Sequence, residues 1–257
     1  MNTEVVRGVG GEPLAYYEEE RRQEVRWADD LRLAEEASPA AAADRIVAEL
    51  SGWGATTLAS LGAHLVERGA RVQREFDTFT HGLQGVSRPF APGRLSANLE
   101  LRAAETVDPA ELHAAYAAAY PVGHPDHDMS SFEDLQALMD GSLMGPLLPA
   151  STVLIDTDRG LGIAAVLAHD GPGLPPDEGP WISEVFRDPA PAYRGLGSLL
   201  LRHVLWLAAE AKLPALGLAA TAGNQAAGMY ENIGFVRTAR WVDLLLRTIG
   251  AATRPVD

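Results

Sequence analysis

The most constraining stretch of this 257-residue chain lies between Trp181 and Phe235. An apolar strand there runs directly into Tyr193-Arg194-Gly195-Leu196-Gly197-Ser198, and that bend opens a long helix. Glycines let the backbone turn tightly and aim several amide hydrogens into one concavity, where the positive end of the helix dipole adds its own field. Such a nest suits a pyrophosphate, although a G-x-G before a helix is also a common plain turn. Two other phosphate-binding patterns fail. A dinucleotide fingerprint needs a third glycine where Leu200 stands, and an acid after the next strand, where Thr221-Ala222-Gly223 follows. A Walker loop needs Gly-Lys-Ser/Thr, which the chain lacks.

Around this bend the pattern is that of a mixed α/β chain. From residue 98 the expected order is strand, two helices, three strands, helix, strand, helix, strand. The first helix starts at Asp108-Pro109-Ala110-Glu111, a capping box, with Val107 stapling Leu112. Ser130 and Glu133 repeat that arrangement for the second helix, which Gly141 ends. Strands are expected over 151–156, 161–169 and 181–187. A helix over 198–211 carries an apolar stripe at Leu200, Val204, Leu207 and Ala211. A strand over 215–220 and a short helix over 225–233 follow, and Gly234 stops that helix before the closing strand or strands.

The first hundred residues carry mostly polar helix signals. Residues 16–37 are charge-dense and weakly periodic, and read as either a surface helix or a partly disordered segment. Ser38-Pro39 starts a helix to about Leu50, since serine caps free amides and proline fits the first turn. Leu58, Leu61 and Leu65 recur at helical spacing until Gly69, and alternation over 71–80 predicts a strand. Residues 82–93, with two prolines and three glycines, read as a linker. The expected division is a smaller, mainly helical part at 1–93 and an α/β domain at 94–257.

Composition narrows the chemistry. The chain has no cysteine, which excludes disulfides, thiolate metal sites and a cysteine nucleophile. Its 35 acidic and 21 basic residues give a net charge of −14, which argues against nucleic acid or an anionic membrane as main partner and favours approach by amines and other cations. No signal peptide and no apolar run of spanning length is seen, so a cytoplasmic location is expected. His124-Pro125-Asp126-His127-Asp128 has no rigid helical ligand spacing and reads as a solvated polar loop, so no metal is expected.

A second motif decides between readings of the glycine bend. The block Asn224-Gln225-Ala226-Ala227-Gly228-Met229-Tyr230-Glu231-Asn232-Ile233-Gly234-Phe235 resembles the asparagine–tyrosine–glycine–phenylalanine signature of the GNAT superfamily of N-acetyltransferases. Arg194-Gly195-Leu196-Gly197 resembles that superfamily's acetyl-CoA loop, and both motifs stand in the superfamily's order over roughly residues 95 to 248. Two departures are visible: Leu199 stands where glycine or alanine is usual, and Ala190-Pro191 reads as an insertion.

The resemblance implies an acyl-CoA N-acyltransferase fold and direct transfer of an acetyl group from acetyl-CoA to a small-molecule or peptide amine. It implies that the strand ending near Arg187 splays from the next one, with Val185, Phe186 and Arg187 holding the pantetheine arm. Arg194, Gly195, Leu196, Gly197 and Ser198 would hold the pyrophosphate, and Asn224 would touch the pantetheine region. Tyr230 would protonate or stabilise the departing thiolate, and Glu184 is the candidate base that takes a proton from the amine. Without the resemblance, Asn224 is equally a helix cap, Tyr230 a core aromatic and Glu184 a water-facing strand carboxylate.

The N-terminal part echoes the C-terminal one. Leu65-Val66-Glu67-Arg68-Gly69 before a strand parallels Tyr230-Glu231-Asn232-Ile233-Gly234 before another, with leucine in place of tyrosine. Either a degenerate duplicated half or coincidence accounts for it. Lacking a glycine loop, this part is expected to be non-catalytic, and to widen the sheet, cover the acceptor site or form a homodimer contact. A non-catalytic acyl-CoA-binding module is the alternative reading of the whole chain.

Overall fold

The computed structural model describes residues 3–89, 95–127, 131–171 and 179–248. Two compact units emerge, one from residues up to Asp77 together with those from Ala239 onward, the other spanning Thr78–Thr238. The linker boundary expected at 93/94 lies outside the described residues.

The first unit contains β1 (Thr3–Arg7), β2 (Pro13–Arg22), β3 (Val25–Leu33), α1 (Pro39–Glu49), β4 (Gly54–Leu58) and α2 (Ala59–Glu67). It also takes the first part of β5 (Arg71–His81) and the last part of β11 (Val236–Leu245). Its strand order is β1-β2-β3-β4-β11-β5. Ile46, Val47, Leu61 and Leu65 on the two helices pack onto Ala28, Leu31, Ala55, Val242 and Leu244 of the sheet.

This corrects the expectation of a mainly helical part. Residues read as a surface helix or a disordered segment form most of the β2–β3 hairpin instead. Charge density suits exposed strands as well as an exposed helix when opposite charges face each other across the ladder. Here Arg26 grips Glu19 with two hydrogen bonds of 2.9 Å, and Arg22 reaches Asp29 at 2.6 Å. Trp27, Ala28 and Leu31 are buried between those charges.

The second unit contains the rest of β5 and β11 and the elements β6 (Leu99–Ala103), α3 (Pro109–Ala119), α4 (Phe132–Met139), β7 (Thr152–Asp156), β8 (Leu161–His169), β9 (Trp181–Arg187), α5 (Leu196–Glu210), β10 (Leu216–Thr221) and α6 (Ala226–Ile233). Its strand order is β11-β5-β10-β9-β8-β7-β6, a mixed sheet. Tyr116, Leu112 and Leu135 of α3 and α4 pack with Ile155, Leu167 and Phe186. Leu200, Val204 and Tyr230 of α5 and α6 pack with Leu154, Leu218 and Phe79. The second capping box sits one residue beyond the expected pair: Ser131 and Asp134 satisfy each other's backbone amides, while Ser130 lies outside the described residues. Asp108 caps α3 from one side alone, accepting from the Ala110 amide at 2.9 Å.

Both units repeat one run of strand, helix, strand, helix, strand: β3-α1-β4-α2-β5 and β9-α5-β10-α6-β11. The repeat extends to a side-chain pair. Trp27 lies opposite Gly54 in the first parallel pair and Trp181 opposite Gly217 in the second. A Cβ at Gly54 would fall 1.9 Å from Trp27 Cε3, and one at Gly217 2.5 Å from Trp181 Cε3, so each indole lies flat over bare backbone. Gly54→Ala should therefore cost about 1–3 kcal/mol through overpacking, read as a lower urea midpoint with unchanged slope.

Candidate active site

Strand β9 carries the site, and a bulge shapes it. Its antiparallel register with β8 pairs Leu167 with Glu184 but Ala168 with Ile182, which leaves Ser183 as an extra residue. A bulge bends a strand and increases its local twist. The parallel pairing of β9 with β10 runs through Gly217↔Trp181 and Leu218↔Ile182 and stops where the bulge begins. β9 stays zipped to β8 as far as Arg187, so its edge at Val185, Phe186 and Arg187 parts from β10. His169 braces the bulge, with its Nε2 2.9 Å from Ser183 Oγ.

Beyond Arg187 the chain makes a 3-10 turn over Pro191–Tyr193 before the glycine bend. Tyr193 anchors it from the core, donating to Asp156 Oδ2 at 2.6 Å and accepting from Arg159 at 2.9 Å. Gly195 then caps α5 at φ +85°, a left-handed conformation that glycine adopts without the strain a Cβ brings. The first intrahelical bond is Leu199 N–H to Gly195 O at 3.1 Å, which leaves the amides of Leu196, Gly197 and Ser198 outside the helical ladder. A Cβ at Gly197 would meet Arg187 Cδ at 3.7 Å, so the arginine stem lies against the first turn. The helix begins two residues earlier than its sequence pattern indicated, and this puts all three amides at its N-terminus.

Glu184, the first residue past the bulge, is held by two phenols of α3 and its C-cap. Tyr120 Oη donates to Oε2 at 2.6 Å and Tyr116 Oη lies 3.4 Å from Oε1. The Glu184 carboxyl is pushed up to about 7: burial raises it most, the Tyr120 bond pulls it down, the Asp126 charge raises it, and the Tyr116 bond and the Asp134 charge add smaller shifts down and up. Tyr230, buried in α6, has its phenol raised by burial and then by the charges of Glu184 and Asp126, so it stays protonated at neutral pH. A desolvated carboxyl that titrates near neutrality can take up a proton, and a phenol that stays protonated can donate a hydrogen bond.

Asp126 closes the far side. Its carboxylate accepts from Thr221 Oγ1 at the end of β10 and from Asn224 Nδ2, the latter at 3.1 Å. Asn224 Oδ1 in turn accepts from the Ala226 amide at 2.8 Å, so this side chain ties the entry of α6 to the α3–α4 loop.

The structure thus brings Glu184, Tyr230, Asn224 and the β9 edge together around one parting of strands, with the Gly195 bend at the end of the same strand. Arg194 is exposed beside that bend. Tyr116, Tyr120 and the Ser183 bulge belong to the site without being among the residues the sequence motifs name. The two tyrosines did leave a signal, four residues apart on one helix face, whereas a bulge leaves none in a single sequence. Among the described residues, no group of three or more His, Asp or Glu is placed to hold a metal; Asp128 of the polar loop lies outside them. No described helix is long and apolar enough to cross a membrane.

No family model and no curated protein matches the sequence. Solved structures resemble its fold. A GCN5-related N-acetyltransferase from Sphaerobacter thermophilus aligns at 18% identity and TM-score 0.62, over 95% of this chain and 81% of that one. A tandem GNAT protein from the clavulanic acid biosynthesis pathway aligns at 15% identity and TM-score 0.56, over 94% and 82%. A GCN5-related N-acetyltransferase from Kribbella flavida aligns at 18% identity and TM-score 0.52, over 86% and 80%. The chain has the GNAT fold.

Proposed function

We propose that this protein is an N-acetyltransferase that uses acetyl-CoA to acetylate a primary amine of a small molecule or peptide in the cytoplasm. The observation that carries the reading is the Glu184 carboxyl on β9, beside the parting from β10, close enough for its charge to act on the buried Tyr230 phenol of α6. Acetyl-CoA fits the residues present: an open strand edge at Val185, Phe186 and Arg187 supplies amides for the pantetheine arm. The Arg194, Gly195, Leu196, Gly197 and Ser198 bend supplies a helix N-terminus for the pyrophosphate, and Asn224 borders the pantetheine path. When bound, acetyl-CoA supplies the acetyl group as an activated thioester.

Glu184 takes the proton that an ammonium must lose before its nitrogen can attack. Tyr120 and Tyr116 hold the carboxylate in place and stabilise its charged form. Tyr230 holds a proton for the thiolate that leaves. The first unit would be a degenerate copy without a cofactor site. The segment between β3 and α1 has Glu35 and Glu36 where the second unit has its glycine bend, and β3 and β4 pair from Trp27↔Gly54 to Leu31↔Thr57.

Thermal unfolding with acetyl-CoA tests the premise: ligand at 100 times its Kd should add about 2.7 kcal/mol. An amine panel with detection of released CoA thiol tests the chemistry, and the cysteine-free chain adds no background. Absence of any thermal shift at millimolar acetyl-CoA sinks the reading; a shift without turnover on any amine leaves an acyl-CoA-binding module instead.

Tyr120→Phe gives a finer check. It removes the shorter of the two bonds that favour ionised Glu184. The acidic limb of kcat/KM should move to higher pH, with the plateau rate at high pH largely kept. An unmoved limb means that Glu184 is not the titrating base.

A further inference from the structure

On this acidic chain, one pocket has the opposite character. It has a volume of about 450 Å³ and lies in the second unit among the end of β5, residues 84–89, the second and third turns of α5 and the end of α6. Arg88, Arg202, His81, Gln84 and Ser87 line it together with apolar Leu205 and Ile233, and no aspartate or glutamate is among its described lining residues.

The pocket is built by packing. Leu83, 6% exposed, is plugged into the core beside Val204 and Leu205 at φ +58°, a strained value that a leucine holds only when its surroundings fix it. Its amide donates to His81 Nδ1 at 3.0 Å. This plug lays the following segment over α5, where the Arg88 guanidinium sits 4.8 Å above the Trp206 ring. The described part of the expected linker is therefore packed; its residues 90–93 lie outside the described set. Arg202 approaches from the other wall, donating to the Asn232 carbonyl at 3.3 Å, which leaves its remaining donors for other partners.

The two arginines leave a trace on their neighbours. His81 is held below its usual value by burial and then by the Arg202 charge, against a backbone bond to Ile233. His203, buried behind Arg88, is lowered by burial and then by that arginine. Both imidazoles therefore sit in a positive field that no lining carboxylate offsets.

We propose that this pocket is a binding site for a small oxyanion, a phosphate or carboxylate group carried on a small molecule. Guanidinium forks suit such planar or tetrahedral oxygens, and the volume leaves room for an organic moiety against Leu205 and Ile233. The pocket shares α5 with the acetyl-CoA bend but none of its residues, and the inference stands whether or not the chain transfers acetyl groups.

The test follows the imidazole resonances of His81 and His203 by NMR in the full chain while inorganic phosphate is added at constant ionic strength, with chloride as reference and acetate as a second arm. Saturable upward movement of both histidine pKa values with phosphate, acetate or both is expected, and the stronger arm identifies the preferred group. Arg202→Gln and Arg88→Gln should each weaken that anion at least about tenfold, while Arg202→Lys retains part of the affinity. The same titration with saturating CoA should give the same midpoint. Equal response to chloride, no response to either oxyanion, an unaltered response in Arg202→Gln, or displacement by CoA each overturns the proposal.

Discussion

Glu184→Gln should lower kcat/KM about 10²–10⁴-fold at pH 8 and flatten its dependence on pH between 6 and 8. Glutamine keeps the shape and still accepts from Tyr120, but cannot take a proton. In the parent chain activity should rise through about pH 7 as the carboxyl ionises. The same substitution has a second readout. A carboxyl titrates near 4.5 in the unfolded chain and near 7 in the folded one, so between those values the folded chain holds the extra proton. Stability of the parent should thus fall as pH rises from 4.5 to 7 and stay level above it. Glu184→Gln removes that loss and should unfold at higher urea than the parent at pH 8, with no advantage at pH 4. Lost activity together with gained stability at pH 8 marks a strained functional group. Lost activity with lost stability would mean that Glu184 serves packing, and unimpaired activity would end its assignment as base.

The sequence disclosed this site unevenly, for physical reasons. Gly195 and Gly234 were legible because a left-handed φ is a backbone demand that one residue type meets. Tyr230 and Asn224 are legible only through the resemblance, since by themselves a core aromatic on a short helix and an asparagine just before that helix have plain structural readings. The parting of β9 and β10 followed only from resemblance, since its cause is an extra residue at Ser183 that exists in the register between strands and not in one strand's own pattern. The roles of Tyr116 and Tyr120 are not legible in the sequence, because a helix face reads the same whether it meets apolar core or a carboxylate; Tyr116 meets both, Phe186 at 5.0 Å and Glu184 at 3.4 Å. In the first unit, charge density hid the strands. The alternation of β2 and β3 is masked by charges on both faces, which pair across the hairpin and so depend on a partner strand.

Tyr230→Phe should also cost about 10²–10⁴-fold in turnover, through the other half of the chemistry. The ring is held by Phe79 and Phe235 at 6.0 and 5.9 Å between centroids, so phenylalanine keeps the packing and stability should hardly change. What disappears is a hydroxyl whose proton is retained because burial and the nearby carboxylates disfavour phenolate. A phenol kept neutral in this way can donate a hydrogen bond to the sulfur as its bond to carbon breaks, which stabilises the charge on a departing alkyl thiolate without handing over the proton. The deficit should accordingly depend on the leaving group. With an acetyl thioester of a more acidic thiol the parent and the variant should converge, because a weaker base needs less help to depart. The acidic limb of the pH profile should not move if it reports the Glu184 carboxyl. A deficit equal for all thioesters would make Tyr230 a wall of the pocket, and a variant as fast as the parent would leave departure of the thiolate to bulk water.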